Sequence, residues 1–253
     1  FKLQFYIQDA ISKNKKNIVT FGGAYSNHIL ATAASCRLFG LKSFGIIRGE
    51  EPANYSPTLL ESGKLGMQFS FTTRADYAKK LIPSTYLNED YYIINEGGFG
   101  ELGVQGAETI SNHFTQQNYT HILCAVGTGT MMAGLIRSSL PKQEIIGISI
   151  LKGNDSIYQS IRGLVGEEER TFTVLHDYHF GGYARYTNHL IGFMNEFFAH
   201  SGIPSDFVYT GKLFMAANDL LQKYYFPPQS KILLIHSGGL QGNQSLKKGT
   251  LSF

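Results

Sequence analysis

Two cysteines among 253 residues are too few for a disulfide framework, and both fall in stretches that read as interior, Cys36 in a helix and Cys124 in an apolar strand. Such usage fits a reducing compartment, and a cytoplasmic location is expected. No apolar run approaches the length that crosses a bilayer. The opening Phe1-Lys2-Leu3-Gln4-Phe5-Tyr6-Ile7 lacks the layout of a signal peptide, so no membrane partner is expected. Charge is scarce, at 16% of residues and a net of +3, and the clusters Lys13, Lys15, Lys16 and Lys247, Lys248 are short and far apart. Without an arginine-rich or aromatic-interleaved stripe they read as solvated surface, which argues against nucleic acid. Internal repeats and low-complexity linkers are missing too, and no metal site is expected.

What is present is a hydrophobic fraction of 43%, enough for a substantial core in one large domain or two modest ones. Helical periodicity over 2–12 gives way to a strand at 17–22, a helix at 26–39 and a strand at 43–48. A helix at about 56–65, a strand at 67–72, an irregular helix near 75–82, a strand at 91–95 and a helix from about 104 to 116 follow. The second half adds strands at 121–126, 144–150 and 231–236, and helices at 130–139, about 187–200 and 211–224. This alternation predicts right-handed βαβ units and a mostly parallel sheet, an α/β class. The segment 153–186, with Glu167-Glu168-Glu169 and the pair Gly181-Gly182, reads as the least regular part, its charged portion solvated. The chain opens inside an amphipathic pattern of Leu3, Tyr6, Ile7, Ala10 and Ile11 with no cap ahead of it, so residues upstream are expected.

The run Gly22-Gly23-Ala24-Tyr25-Ser26-Asn27-His28 follows the apolar Asn17-Ile18-Val19-Thr20-Phe21 and reads as strand, glycine turn and helix start. The free N–H groups of a first helical turn, at the positive end of the helix dipole, bind a carboxylate or phosphate. Ser26 and Asn27 suit an N-cap, and that alone would account for them. Similar turns recur at Tyr91 to Gly98, at His121 to Thr130 and at Lys231 to Gly239, and in an open parallel sheet such turns gather on one edge. The loop Val126-Gly127-Thr128-Gly129-Thr130-Met131 has the small residues that close backbone N–H groups around a phosphate. It lacks the lysine of a P-loop. A dinucleotide fingerprint fails on spacing, and Gly147-Ile148-Ser149-Ile150 lacks the acid that would end the next strand.

Two more motifs, Phe207-Val208-Tyr209-Thr210-Gly211-Lys212 and Ile235-His236-Ser237-Gly238-Gly239-Leu240, complete an ordered set of four. Over essentially the whole chain this set resembles the pyridoxal-phosphate enzymes of tryptophan synthase β-like fold, also called fold-type II. Within them it is similar to the branch of 1-aminocyclopropane-1-carboxylate deaminase and D-cysteine desulfhydrase. The resemblance implies two domains with mostly parallel twisted sheets flanked by helices. Residues 2–112 would form a small α/β domain and 113–253 a large cofactor-binding domain completed by an N-terminal segment. It implies pyridoxal 5'-phosphate as cofactor, a small-molecule amino-acid substrate and a homodimer. The family's Schiff-base lysine stands in a Gly-Asn-Lys motif trailed by Lys-Leu; Lys2-Leu3 matches the trailing pair, which places that lysine upstream of Phe1.

By the same resemblance Ser26, Asn27 and His28 meet the substrate carboxylate and the cofactor's ring hydroxyl, and Gly127, Thr128, Gly129 and Thr130 hold its phosphate. Tyr209 lies against the pyridine ring, and Tyr183 matches a second active-site tyrosine, so Ser26, Tyr183 and Tyr209 are the catalytic candidates. Thr210 takes the place at the ring nitrogen where the cyclopropane deaminases have an acid, and Ser237 is the other hydroxyl expected there. His236 reads as packed, and Asn95 and Glu96 as caps without a catalytic part. A hydroxyl in place of the acid weakens the electron sink and favours β-elimination from a good leaving group. The expected activity is therefore D-cysteine desulfhydrase-like, giving a 2-oxo acid and ammonia. The alternatives are a 1-aminocyclopropane-1-carboxylate deaminase and, from another class, a non-catalytic phosphate- or nucleotide-binding α/β protein.

Overall fold

Apolar runs bounded by glycine turns set the architecture of the computed structural model, which describes residues 1–166 and 170–253. The Glu167-Glu168-Glu169 run lies outside the described residues. The chain divides into two compact units, Phe1–Gly106 and Ala107–Phe253.

The first unit runs α1 (Gln4–Ser12), β1 (Asn17–Gly22), α2 (Asn27–Leu38), β2 (Lys42–Arg48), α3 (Pro57–Lys64), β3 (Met67–Thr72), α4 (Arg74–Ala78) and β4 (Tyr91–Ile94), and α5 (Glu101–Glu108) carries the division. Its sheet has the order β3-β2-β1-β4, and every pair is parallel. Successive side chains of β1 point to opposite faces, so Ile18 packs with Tyr6, Ile7 and Cys36 while Val19 packs with Phe44, Tyr77 and Tyr86. Both faces of the strand are thus covered, as its unbroken apolar run requires.

The second unit runs β5 (His121–Val126), α6 (Thr130–Ser138), β6 (Glu144–Ser149), α7 (Ile157–Val165), β7 (Phe172–Leu175), α8 (Asn188–Ser201), α9 (Thr210–Gln222) and β8 (Ile232–Leu234). The order is β7-β6-β5-β8, again parallel throughout. Its core joins Leu123 and Ile146 of the sheet to Leu190 and Met194 of α8 and Leu213, Ala216 and Leu220 of α9. Each buried leucine, isoleucine or methionine of this set contributes about 1.5–3 kcal/mol. Gly147 lets α6 lie close: a Cβ there would stand 2.4 Å from Met132 Sδ and 2.6 Å from Val126 Cγ2.

This is the expected α/β fold with parallel sheets flanked by helices, and three local departures have physical causes. The segment 153–186 is not irregular throughout, since it holds α7 and β7. In α7 Ile157, Ile161 and Val165, spaced by four, are buried on one face. The helix expected over 104–116 instead begins at Glu101 and ends at Glu108, passing into a 3-10 turn over Thr109–His113. There the Thr-Ile-Ser-Asn run has poor helix formers, and Ser111 Oγ donates to the Glu108 carbonyl at 2.7 Å. The helix near 75–82 stops at Ala78, since Lys80 takes a left-handed φ of 54° and turns to pair with Glu96. Cys36 and Cys124 are free and buried, and burial pushes both thiols up to about 12. Among the described residues no helix is long and apolar enough to cross a membrane.

Candidate active site

In the first unit the turn between β1 and α2 is shaped by close approach. A Cβ on Gly22 would stand 2.3 Å from Ile29 Cγ1 and 2.9 Å from Ser26 Oγ, so only glycine lets the strand turn tightly into the helix. Ser26 is the N-cap of α2 in extended conformation, its hydroxyl accepting the Ile29 N–H at 3.4 Å. Ser56 Oγ donates to the Ala24 carbonyl and ties the turn to the head of α3. Beside Ser26 the side-chain carbonyl of Asn27 is buried with no donor to meet it. An orphaned acceptor at a helix head is a place for a ligand's donor.

His28 stands on the first turn of α2, half-buried, with Nε2 2.8 Å from Thr20 Oγ1. Thr20 spends its single proton on the Ile94 carbonyl at 2.7 Å, so at His28 its oxygen can only accept. The neutral imidazole therefore carries its proton on Nε2 and leaves the Nδ1 lone pair as acceptor. Burial, helped by the nearby positive charge of Lys2, holds the ring's pKa down at about 3, so His28 is uncharged at neutral pH. Lys2 donates to the Gly97 carbonyl at 2.9 Å, and burial lowers its amine to about 8. β1 and β4 are adjacent and parallel, which brings the turns that leave them together. A Cβ on Gly98 would meet both Lys2 Cβ at 3.5 Å and His28 Cε1 at 3.9 Å. Glu96 accepts from Tyr77 Oη at 2.5 Å and pairs with Lys80, and Asn95 donates to the Phe99 carbonyl at 3.1 Å. Those partners engage Glu96 and Asn95 in the turn itself.

In the second unit Gly127, Thr128 and Gly129 connect β5 to α6, with Thr130 the first helical residue. Gly129 is the N-cap in a left-handed conformation of φ 84°, and a Cβ on it would stand 2.7 Å from Ile161 Cγ1. No side chain caps α6, and the Thr128 and Thr130 hydroxyls meet each other at 3.1 Å beside its head. The Tyr209 ring lies over this loop, its Cε1 3.5 Å from where a Gly127 Cβ would be. Tyr183 stands edge-on to Tyr209 with ring centroids 6.2 Å apart. Gly127, Tyr183 and Tyr209, far apart in sequence, thus form one cluster next to the head of α6. Ser237 is exposed in the glycine turn after β8, which is parallel to and paired with β5, so that turn leaves the same sheet edge as the Gly127 loop. His236 uses both ring nitrogens, Nε2 on the Pro204 carbonyl at 2.8 Å and Nδ1 on the Gly238 N–H at 3.0 Å.

Thr210 is engaged differently from the expectation. It is fully buried, accepts the Asp206 N–H at 2.8 Å and donates to Asp206 Oδ1 at 2.8 Å, which leaves it no proton to give a ring nitrogen. Asp206 had no part in the sequence reading. Its carboxylate accepts the N–H groups of Val208, Tyr209 and Thr210, each at 2.9 Å, and so fixes the backbone that presents Tyr209. Its signal was an acid shortly ahead of a helix, which is ordinary capping chemistry. Burial raises the Asp206 pKa against these hydrogen bonds. Burial likewise lowers the Lys212 amine to about 8, with the Asp206 charge opposing.

Residues 1–238 match the family described as pyridoxal-phosphate dependent enzyme. The chain is 28% identical over 263 residues to a Pyrococcus horikoshii protein provisionally named 1-aminocyclopropane-1-carboxylate deaminase, a span of 95% of this chain and 79% of that one. It is 26% identical over 277 residues to the mitochondrial bifunctional D-cysteine desulfhydrase/1-aminocyclopropane-1-carboxylate deaminase of Arabidopsis thaliana, covering 95% of this chain and 68% of the other. A crystal structure described as an ACC deaminase homologue shares the fold, with a TM-score of 0.80 at 24% identity over 96% of this chain and 79% of that one.

Proposed function

This chain belongs to the pyridoxal-phosphate-dependent enzyme family, and we propose that within it the protein is a deaminating lyase. It eliminates a β-leaving group from a small amino acid of the D-cysteine kind and leaves a 2-oxo acid and ammonia. Two features of the described residues fit the cofactor. The head of α6 carries no side-chain cap and a glycine with no room for a Cβ, and the Asn27 carbonyl is buried without a donor. When bound, pyridoxal phosphate supplies an electron sink that weakens the Cα–H bond of an amino acid joined to it.

The N–H groups at the head of α6, with the Thr128 and Thr130 hydroxyls, would hold the phosphate. Tyr209 offers an aromatic face to the ring and keeps water from it, with Tyr183 beside it as a second phenol. Within the first unit Ser26 and the first-turn N–H groups of α2 would bind a carboxylate, and the buried Asn27 carbonyl would take a ligand's donor. His28, neutral with Nδ1 open, accepts a hydrogen bond there without adding charge. Ser237 remains the hydroxyl for the ring nitrogen.

Thr210 is the observation that carries the choice of substrate. Where the cyclopropane deaminases have an acid, this chain has a hydroxyl already given to Asp206, so no carboxylate there stabilises a protonated ring nitrogen. A weaker sink suits departure of a good leaving group such as sulfide better than opening of a carbon ring. Opening of 1-aminocyclopropane-1-carboxylate is the second reading, favoured by the names of the relatives.

The protein supplemented with pyridoxal phosphate is expected to show a visible absorption band that borohydride abolishes. It should convert D-cysteine and water to pyruvate, hydrogen sulfide and ammonia faster than it makes a 2-oxo acid from the cyclopropane. The reverse preference would overturn the substrate, and a colourless protein that binds a nucleotide would overturn the chemistry.

A further inference from the structure

We infer that Lys212 is a positioning residue for Tyr183, its buried amine pinning the segment 178–186 along α9 so that the Tyr183 ring meets Tyr209. The inference rests on the reading of these two tyrosines as cofactor-site groups.

The segment has a backbone that local preference does not explain. Phe180, Gly181, Gly182 and Ala184 have φ of 49°, 97°, 113° and 53°, all left-handed, and two of these residues carry a Cβ. Such a run persists only where its surroundings hold it. The surroundings are a row of contacts with α9 and the residues just ahead of it, in antiparallel order. Tyr178 Oη donates to Asp219 Oδ2 at 2.6 Å, and Lys212 Nζ donates to the carbonyls of His179 and Gly182 at 2.8 Å each. The Tyr183 ring stands 6.2 Å from that of Tyr209, and the Tyr186 ring 5.3 Å from that of Phe207.

Lys212 is the buried charged member of this row, with no solvent exposure at all, whereas Tyr183 and Tyr186 are exposed. Burying an amine costs more than burying a methionine of similar volume, so packing alone does not account for a lysine at this place. Its two acceptors are the hinges of the segment. The His179 carbonyl also takes the Gly182 N–H at 3.0 Å, and the Gly182 carbonyl takes the Arg185 N–H at 3.2 Å. One cation therefore closes two consecutive turns, 179–182 just ahead of Tyr183 and 182–185 containing it. It does so from the helix whose preceding residue Tyr209 is the ring that Tyr183 faces, and Asp206, which fixes the Tyr209 backbone, supplies the opposing charge.

The test is amide hydrogen exchange by mass spectrometry on the protein with and without pyridoxal phosphate, for the parent, Lys212→Met and Lys212→Gln. Exchange at Gly181, Gly182 and Arg185, whose N–H groups donate within the segment, should accelerate ~tenfold in Lys212→Met. In Lys212→Gln, which keeps donors, the acceleration should be smaller, and β5 and α8 should stay protected in both. Turnover of D-cysteine should fall mainly in kcat, and Tyr183→Phe should lose less on the Lys212→Met background than on the parent. Unchanged exchange in the segment, acceleration spread equally over β5 and α8, or additive losses would overturn the inference. Should Lys212→Met not fold, Lys212→Gln decides by the same readout. A parent protein without turnover would defeat the functional reading, while the exchange pattern would still decide whether Lys212 holds the segment.

Discussion

The imidazole of His28 supplies a pH dependence whose size follows from the structure. The ring's pKa is held at about 3 in the fold, against an ordinary 6.5. As pH falls through 6.5 the unfolded chain takes up a proton that the folded chain refuses, so stability is lost on acidification until the folded ring also titrates. Between about pH 7.5 and about pH 5 the two values give a loss of about 2 kcal/mol at 1.36 kcal/mol per pKa unit. Solvent reaching the half-buried ring trims that figure without changing its sign. Carboxylates titrate in the same range, so the quantity to measure is a difference. Urea unfolding followed by circular dichroism at both pH values, on the parent and on His28→Gln, gives the stability gap between the two proteins. That gap should shift by about 2 kcal/mol in favour of His28→Gln on going to the acid condition. A gap that is the same at both pH values would refute the lowered pKa together with the burial on which it stands.

Tyr209→Ala should leave the circular dichroism spectrum intact, lower turnover and raise the dissociation constant for pyridoxal phosphate by ~tenfold, the worth of one aromatic contact; unchanged titration of the absorption band would remove Tyr209 from the site. Gly147→Ala places a methyl 2.6 Å from Val126 Cγ2, a stiff β-branched neighbour, and 2.4 Å from Met132 Sδ, which can swing aside. The cost should be about 1–3 kcal/mol, a drop of roughly 3–10 °C in Tm by calorimetry. A melting point within about one degree of the parent's would show that β6 yields more than a packed sheet allows.

How far the sequence could be read depended on whether a signal was local. The strands at 17–22, 67–72 and 121–126 were legible because apolar runs end in glycine or at a polar turn within a few residues. The run around Tyr209 was legible as a helix start, and α9 does begin at Thr210. α7 was overlooked although Ile157, Ile161 and Val165 carry the helical period, because the acids and glycines around them drew the segment toward a loop. Thr20 had no local signal, and Lys212 was legible only as the end of the Tyr209 motif, with no role of its own. Thr20 reads as one more β-branched strand residue until β1 pairs with β4 in the register Thr20↔Ile94, which supplies the carbonyl that takes its proton. Only then does its oxygen determine which nitrogen of His28 is bare. Lys212 is fixed by two carbonyls 30 and 33 residues away that close on it. In both places the reactive-looking side chain was visible in the sequence, and the group that fixes its state was a backbone carbonyl, which no residue letter records. Thr210 shows the converse: its hydroxyl was legible, but its proton had already gone to Asp206 four residues earlier. The chemistry left to each hydroxyl and amine is therefore set by which carbonyls and carboxylates the fold delivers to it first.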